Sequence, residues 1–115
     1  MNARKEILPR AARLNDLVAD FRAAVYLLEN PNQAQRDWFT HLRIEWERVD
    51  VDRETMPDTG VIPYAQRLHT YAVMLVASVD VYTQYCGYDR WERQERILDA
   101  AEDLQLALEK VQNNG

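Results

Sequence analysis

Apolar residues recur at helical spacing in four stretches of the chain. In the first, Leu14, Leu17, Phe21, Ala24 and Leu28 alternate steps of three and four, and Val18 and Val25 widen the stripe. That spacing keeps side chains on one face of a helix. It predicts a helix over about 10–29. Pro9 would sit at the first helical position, where a missing N–H costs nothing, with a short turn over 2–8 before it. Asn30-Pro31-Asn32 ends the helix.

A second helix is predicted over 33–51. Trp38, Leu42, Trp46 and Val49, with Phe39 beside them, form its broad apolar face. The reverse face carries Asp37, His41 and Arg48, and there Ile44 and Val51 are out of phase with the core. A third helix is predicted over 63–86, from Pro63 to the stop at Gly87. Tyr64, Leu68, Tyr71, Leu75, Ser78, Tyr82 and Tyr85 make one stripe; Ala72, Val76, Val79 and Cys86 make a second beside it. The fourth, over 90–112, follows Asp89 as N-cap and is seamed by Ile97, Ala101, Leu104, Leu108 and Val111. Its interleaved Arg and Glu suit pairing along a helix surface. The expected fold is all-α, an antiparallel four-helix bundle in a single domain over 1–115. The acidic linker over 50–60, with Pro57 and Gly60, leaves the order of helices around the bundle open.

Charge patterning singles out the third helix. Arg67 and Asp80 are its only permanent ions between Pro63 and Gly87. A helix apolar on most faces must be covered on most faces. Its two stripes satisfy the bundle, which leaves Val73, Met74, Ala77 and Val81 around Asp80 on the remaining side. These residues, with Ile44 and Val51, are the expected partner-binding surface. Asp80 either lies on a solvent-facing strip with Gln66, Thr70 and Gln84 or has a buried partner. Arg67 is too far along the same helix, about 20 Å at 1.5 Å per residue. In an antiparallel homodimer, however, Arg67 of one chain would meet Asp80 of the other.

The 115 residues carry 14 basic and 19 acidic side chains, a net charge of −5. That balance argues against DNA as a partner, since phosphate neutralisation supplies most of such affinity. One cysteine, Cys86, excludes an intrachain disulfide and a multi-cysteine zinc site. The opening residues contain no apolar run of signal-peptide length. The longest apolar run of the third helix, Tyr71 to Val79, falls well short of the ~20 residues of a membrane span. A soluble, cytoplasmic chain that does not engage membranes is expected.

Candidate chemistry is sparse. Asp37, His41 and Glu45 share a helix face at steps of four, a spacing from which two side chains can bridge a metal. No second cluster completes a shell unless His69 approaches in space. The Glu-x-x-His pair of di-iron bundles is missing. Asp50, Asp52, Glu54 and Asp58 hint at a calcium loop, but Thr55 and Val61 occupy the positions that need glycine and glutamate. Glu92, Glu95, Asp99, Glu102 and Asp103 do not reproduce the paired acidic motifs of helical nucleotide pyrophosphohydrolases. No metal and no cofactor are expected.

The segment Arg36-Asp37-Trp38-Phe39-Thr40-His41 resembles the short arginine–histidine motif of HEPN ribonucleases. Those are all-helical domains of similar size. The resemblance implies Arg36 stabilising a phosphate and His41 assisting attack by an RNA 2′-hydroxyl, with two protomers sharing a cleft. The leading expectation is different: a small non-enzymatic interaction or regulatory protein of the inhibitor, immunity or adaptor kind, acting as a homodimer on another protein. Its motivation is the surplus apolar face and the lack of a catalytic constellation. The ribonuclease is the alternative.

Overall fold

The computed structural model describes residues 3–25, 30–82 and 89–114, and every element among them is an α-helix. They are α1 (Ala3–Val25), α2 (Gln33–Glu54), the single turn α3 (Met56–Thr59), α4 (Val61–Tyr82) and α5 (Arg90–Asn114). The all-α expectation holds. Leu28, Gln84, Tyr85, Cys86 and Gly87, which the sequence reading used, lie outside the described residues.

α1 begins a full two turns earlier than its spacing suggested, and Pro9 lies inside it. The cause is Ile7. Ile7, Ala11, Leu14, Val18, Phe21 and Val25 are all buried, and their steps of four and three run straight through the proline. Burying Ile7 outweighs the hydrogen bond that Pro9 cannot donate. The Arg10 guanidinium donates to the Glu6 carbonyl at 2.6 Å beside this lesion. The same series shifts the core phase: Val18 and Val25 are fully within the core, while Leu17 is half-buried.

α2 starts where expected, in a capping box. The Asn32 side chain accepts from the Gln35 N–H at 2.9 Å, and Gln35 Oε1 accepts from the Asn32 N–H at 2.8 Å. The supposed linker over 50–60 is largely helical. α2 continues to Glu54, α3 has Pro57 in its first turn, and Gly60 at φ +94° ends that turn with its N–H on the Met56 carbonyl. Only glycine adopts that backbone conformation without strain. α4 therefore starts at Val61, two residues before Pro63.

Ion pairs and ring contacts give the helix directions. Arg10 meets Asp103 at 3.3 Å, and Asp20 meets Arg93 at 3.4 Å, so α1 and α5 run antiparallel. Trp38 meets Ser78, Trp46 meets Tyr71, and Asp52 meets Arg67, so α2 and α4 do too. α1, α4 and α5 pack pairwise around one core. α2 packs against α4 and α3; among the described residues its backbone does not approach α1 or α5. A long side chain bridges the remaining gap, the Arg22 guanidinium lying 4.9 Å over the Trp46 ring. The result is a flattened body of 49 × 27 × 18 Å. α4 is its central element, flanked by three long helices, and this explains why it carries so little charge.

Candidate functional site

α2 and α4 meet along a line of large side chains. The Trp38 indole N–H donates to Ser78 Oγ at 2.8 Å, and Ser78 Oγ donates to the Leu75 carbonyl at 3.1 Å. The Trp38 ring stacks on Tyr82, with centroids 5.5 Å apart and planes at 16°. Trp46 leans on Tyr71 at 5.1 Å. Of the tyrosine stripe, Tyr64 and Tyr71 are buried core residues and Tyr82 lies at the edge. Burial raises the Tyr64 phenol above its ordinary pKa of 10.0.

Outside this seam the α2–α4 pair carries a row of three surface hollows, an interrupted furrow. One end is a hollow of about 420 Å³, lined by Asp37, Trp38, His41, Met74, Ser78 and Tyr82. The next stretch is lined by Glu45, Asp52, Pro63, Gln66, Arg67 and Thr70. A third, shallow hollow shares Asp52 and Arg67 with it and adds Ile44, Arg48 and Val51. Of the expected partner-binding residues, Met74, Ile44 and Val51 line these hollows, while Val73, Ala77, Asp80 and Val81 line none of them. Ile44 and Val51 are exposed on α2; Val73 (40%) and Val81 (73%) are exposed on α4, with Ala77 between them in sequence. Met74 is half-buried against the core and serves as a wall of the furrow.

The ions of α4 are satisfied within the chain. Arg67 Nε lies 2.8 Å from Asp52 Oδ2 on α2. Asp80 Oδ1 lies 3.1 Å from the Arg90 guanidinium at the start of α5. Asp80 is exposed, on the strip that also holds Gln66 and Thr70. A cross-dimer Arg67–Asp80 pair would have to break both contacts, so charge pairing gives no support to self-association.

The other candidates do not assemble. Asp37 accepts from Gln33 Nε2 at 2.9 Å, and Glu45 is paired with Arg48 at 2.7 Å. Among the described residues no three His, Cys, Asp or Glu are placed to hold a metal. His69 is half-buried on α4, and burial lowers its pKa below the ordinary 6.5. Residues 50–59 are helical but for Thr55, so they form no calcium loop. Arg36 and His41 are both exposed on α2, about 140° apart around the axis at 100° per residue. His41 lines the aromatic hollow and Arg36 does not. One chain alone does not direct the two at a common point.

Several features escaped the sequence pattern. The Trp38–Ser78 bond joins residues 40 apart in sequence, and no local spacing announces it. Gln94 is buried in α5, and Asn15 Oδ1 is buried in α1 with no hydrogen-bond partner among the described residues. Trp91, Leu98 and Leu106 are exposed on α5, on a surface where the sequence pattern had drawn attention only to its interleaved Arg and Glu. Their spacing of seven and eight was the available signal. No described helix is long and apolar enough to cross a membrane. No protein-family model matches the chain, and no curated protein or solved structure is significantly similar to it.

Proposed function

We propose that this chain is a non-enzymatic interaction and regulatory protein, of the inhibitor, immunity or adaptor kind. It self-associates through the open side of α4 and presents the α2–α4 face to another protein in the cytoplasm. One observation carries the reading: the most apolar helix of the fold keeps Val73 and Val81 in solvent although three long helices flank it. Exposed apolar residues support a contact surface when they are contiguous rather than scattered, as the spacing of Val73, Ala77 and Val81 makes these. The strip suits a two-fold contact. Val73, Ala77 and Val81 form one ridge at steps of four, symmetric about Ala77, so an antiparallel copy sets Val73 against Val81 with a small residue at the crossing.

Light scattering on the purified protein at high micromolar concentration tests this. A dimer is expected, and Ala77→Arg should convert it to monomer without altering helix content. A wild-type monomer, or a dimer indifferent to Ala77→Arg, would remove the strip as the self-association surface. The ribonuclease alternative is tested separately: an interaction protein of this kind cleaves neither single-stranded nor structured RNA. Cleavage abolished by His41→Ala would replace it.

A further inference from the structure

We infer that the outward face of α5 is a second docking surface, for a basic amphipathic helix of a partner protein. Trp91, Leu98 and Leu106 are exposed there, and Trp91 leaves 67% of its surface in water. Glu95, Asp99 and Glu102, all exposed, are interleaved with them. At 100° per residue these six side chains fall within about 100° of arc, over roughly 22 Å of helix. The face is therefore a stripe of alternating apolar and acidic groups.

The distribution of ion pairs gives the stripe its sign. Arg90 is held by Asp80, Arg93 by Asp20 and Asp89, and Arg96 by Glu92. Glu95, Asp99 and Glu102 make no ion pair among the described residues. Lys110, which also makes none, lies one turn beyond Leu106. The fold thus draws the arginines of α5 into internal pairs and leaves three carboxylates beside the apolar groups.

That combination selects the occupant. Nucleic acid and anionic lipid would be repelled by the carboxylates. A second copy of the chain, docked on the same stripe, would oppose like charges across a two-fold axis. A neutral apolar surface would desolvate three carboxylates without pairing them, which is costly. A helix with Leu or aromatic residues one heptad apart and Lys or Arg between satisfies both components, as flanking charges do in coiled coils. Trp91 is suited to be its anchor, since tryptophan is over-represented among residues that dominate binding energy. The Arg90 guanidinium already lies 4.6 Å over one face of its ring.

The test is titration of the isotope-labelled full chain with a synthetic amphipathic helical peptide. The peptide carries Leu at heptad positions and Lys or Arg between them. The same peptide with Glu in place of the basic residues is the control. Expected are amide shifts over 91–106 with the basic peptide only, and an affinity that falls as salt rises. Glu95→Lys with Glu102→Lys should weaken it by about tenfold or more. These side chains are exposed, so the variant keeps its fold, and an unchanged amide spectrum elsewhere verifies that. Ala77→Arg should leave peptide binding intact, which separates this surface from the one proposed on α4. Binding of the acidic peptide with equal affinity, shifts centred on the α2–α4 furrow, insensitivity to the double charge reversal, or no binding at high micromolar peptide would each overturn the inference.

Discussion

Ser78→Ala is expected to loosen α2 without disturbing the rest of the fold. Trp38 is 5% exposed, and its indole N–H has Ser78 Oγ as acceptor at 2.8 Å. Alanine removes that acceptor. A stranded buried donor costs about 1–3 kcal/mol. Trp38 and Ser78 line the hollow of about 420 Å³, so water entering there can replace part of the bond and the cost falls toward the lower end of that range. Loss of the Ser78 hydroxyl's own bond to the Leu75 carbonyl adds little, because that carbonyl belongs to a continuous helix. Trp38→Phe removes the donor instead and keeps a ring against Tyr82. In that background Ser78→Ala should cost less than about 0.5 kcal/mol, so the two changes are strongly non-additive. The location of the loss is the sharper point. Among the described residues α2 has, apart from α3, only α4 as a backbone neighbour. Its opening can therefore be sub-global. Hydrogen exchange should show α2 amides speeding up by roughly 5- to 150-fold, the equivalent of that free energy, while α1 and α5 keep their rates. Urea unfolding followed by circular dichroism supplies the matching equilibrium values. Equal acceleration in all four long helices, or additive costs in the double variant, would refute the idea that this bond pins α2.

Pro9→Ala should stabilise the protein by about 1–3 kcal/mol, read from the urea midpoint, because it restores a backbone donor inside α1; a helix that began at Pro9 would respond little. Asn15→Leu should raise stability by about 1 kcal/mol, since the buried Asn15 oxygen has no hydrogen-bond partner among the described residues and an apolar replacement removes its desolvation cost. The burial of His69 predicts a pH dependence: its folded pKa lies below 6.5, so between the two values the unfolded chain binds more protons. Stability should therefore fall as pH drops through 6.5 toward the folded pKa. His69→Gln should flatten the thermal midpoint across that range, and an unchanged slope would show that other groups set it.

The fold was legible where apolar spacing is long and uninterrupted. Tyr64, Leu68, Tyr71 and Leu75 on α4, and Ile97, Ala101, Leu104 and Leu108 on α5, are buried as their periodicity requires. It was misread where a local signal competes with a distant one. Pro9 reads as a helix start, yet the core makes use of Ile7 two residues earlier. The acidic run over 50–60 reads as a loop, yet it continues α2 and adds a turn, so the break at Thr55 and the positive-φ Gly60 share the reversal into α4. The spared strip on α4 was visible in the phasing of Val73, Ala77 and Val81. The partners of Arg67 and Asp80 were not, since Asp52 and Arg90 come from other helices and only the packing brings them near.

The same packing gives the two outward faces different electrostatic characters. On α4, Asp52 and Arg90 neutralise Arg67 and Asp80 within the chain, so the ridge from Val73 to Val81 is apolar and locally uncharged. On α5, the arginines are consumed by pairs with Asp80, Asp20, Asp89 and Glu92, and the outward stripe keeps Glu95, Asp99 and Glu102. Screening acts on exposed charge and leaves apolar burial largely untouched. Contact through α4 should therefore hold as salt is raised, while contact through α5 should weaken. The Asp80–Arg90 pair is the hinge between these behaviours, since it removes a negative charge from the α4 face and a positive one from α5. Asp80→Asn would leave α4 neutral and leave the Arg90 charge, which already lies over Trp91, without its counter-ion, so it should weaken a basic partner on α5 while leaving association through α4 intact.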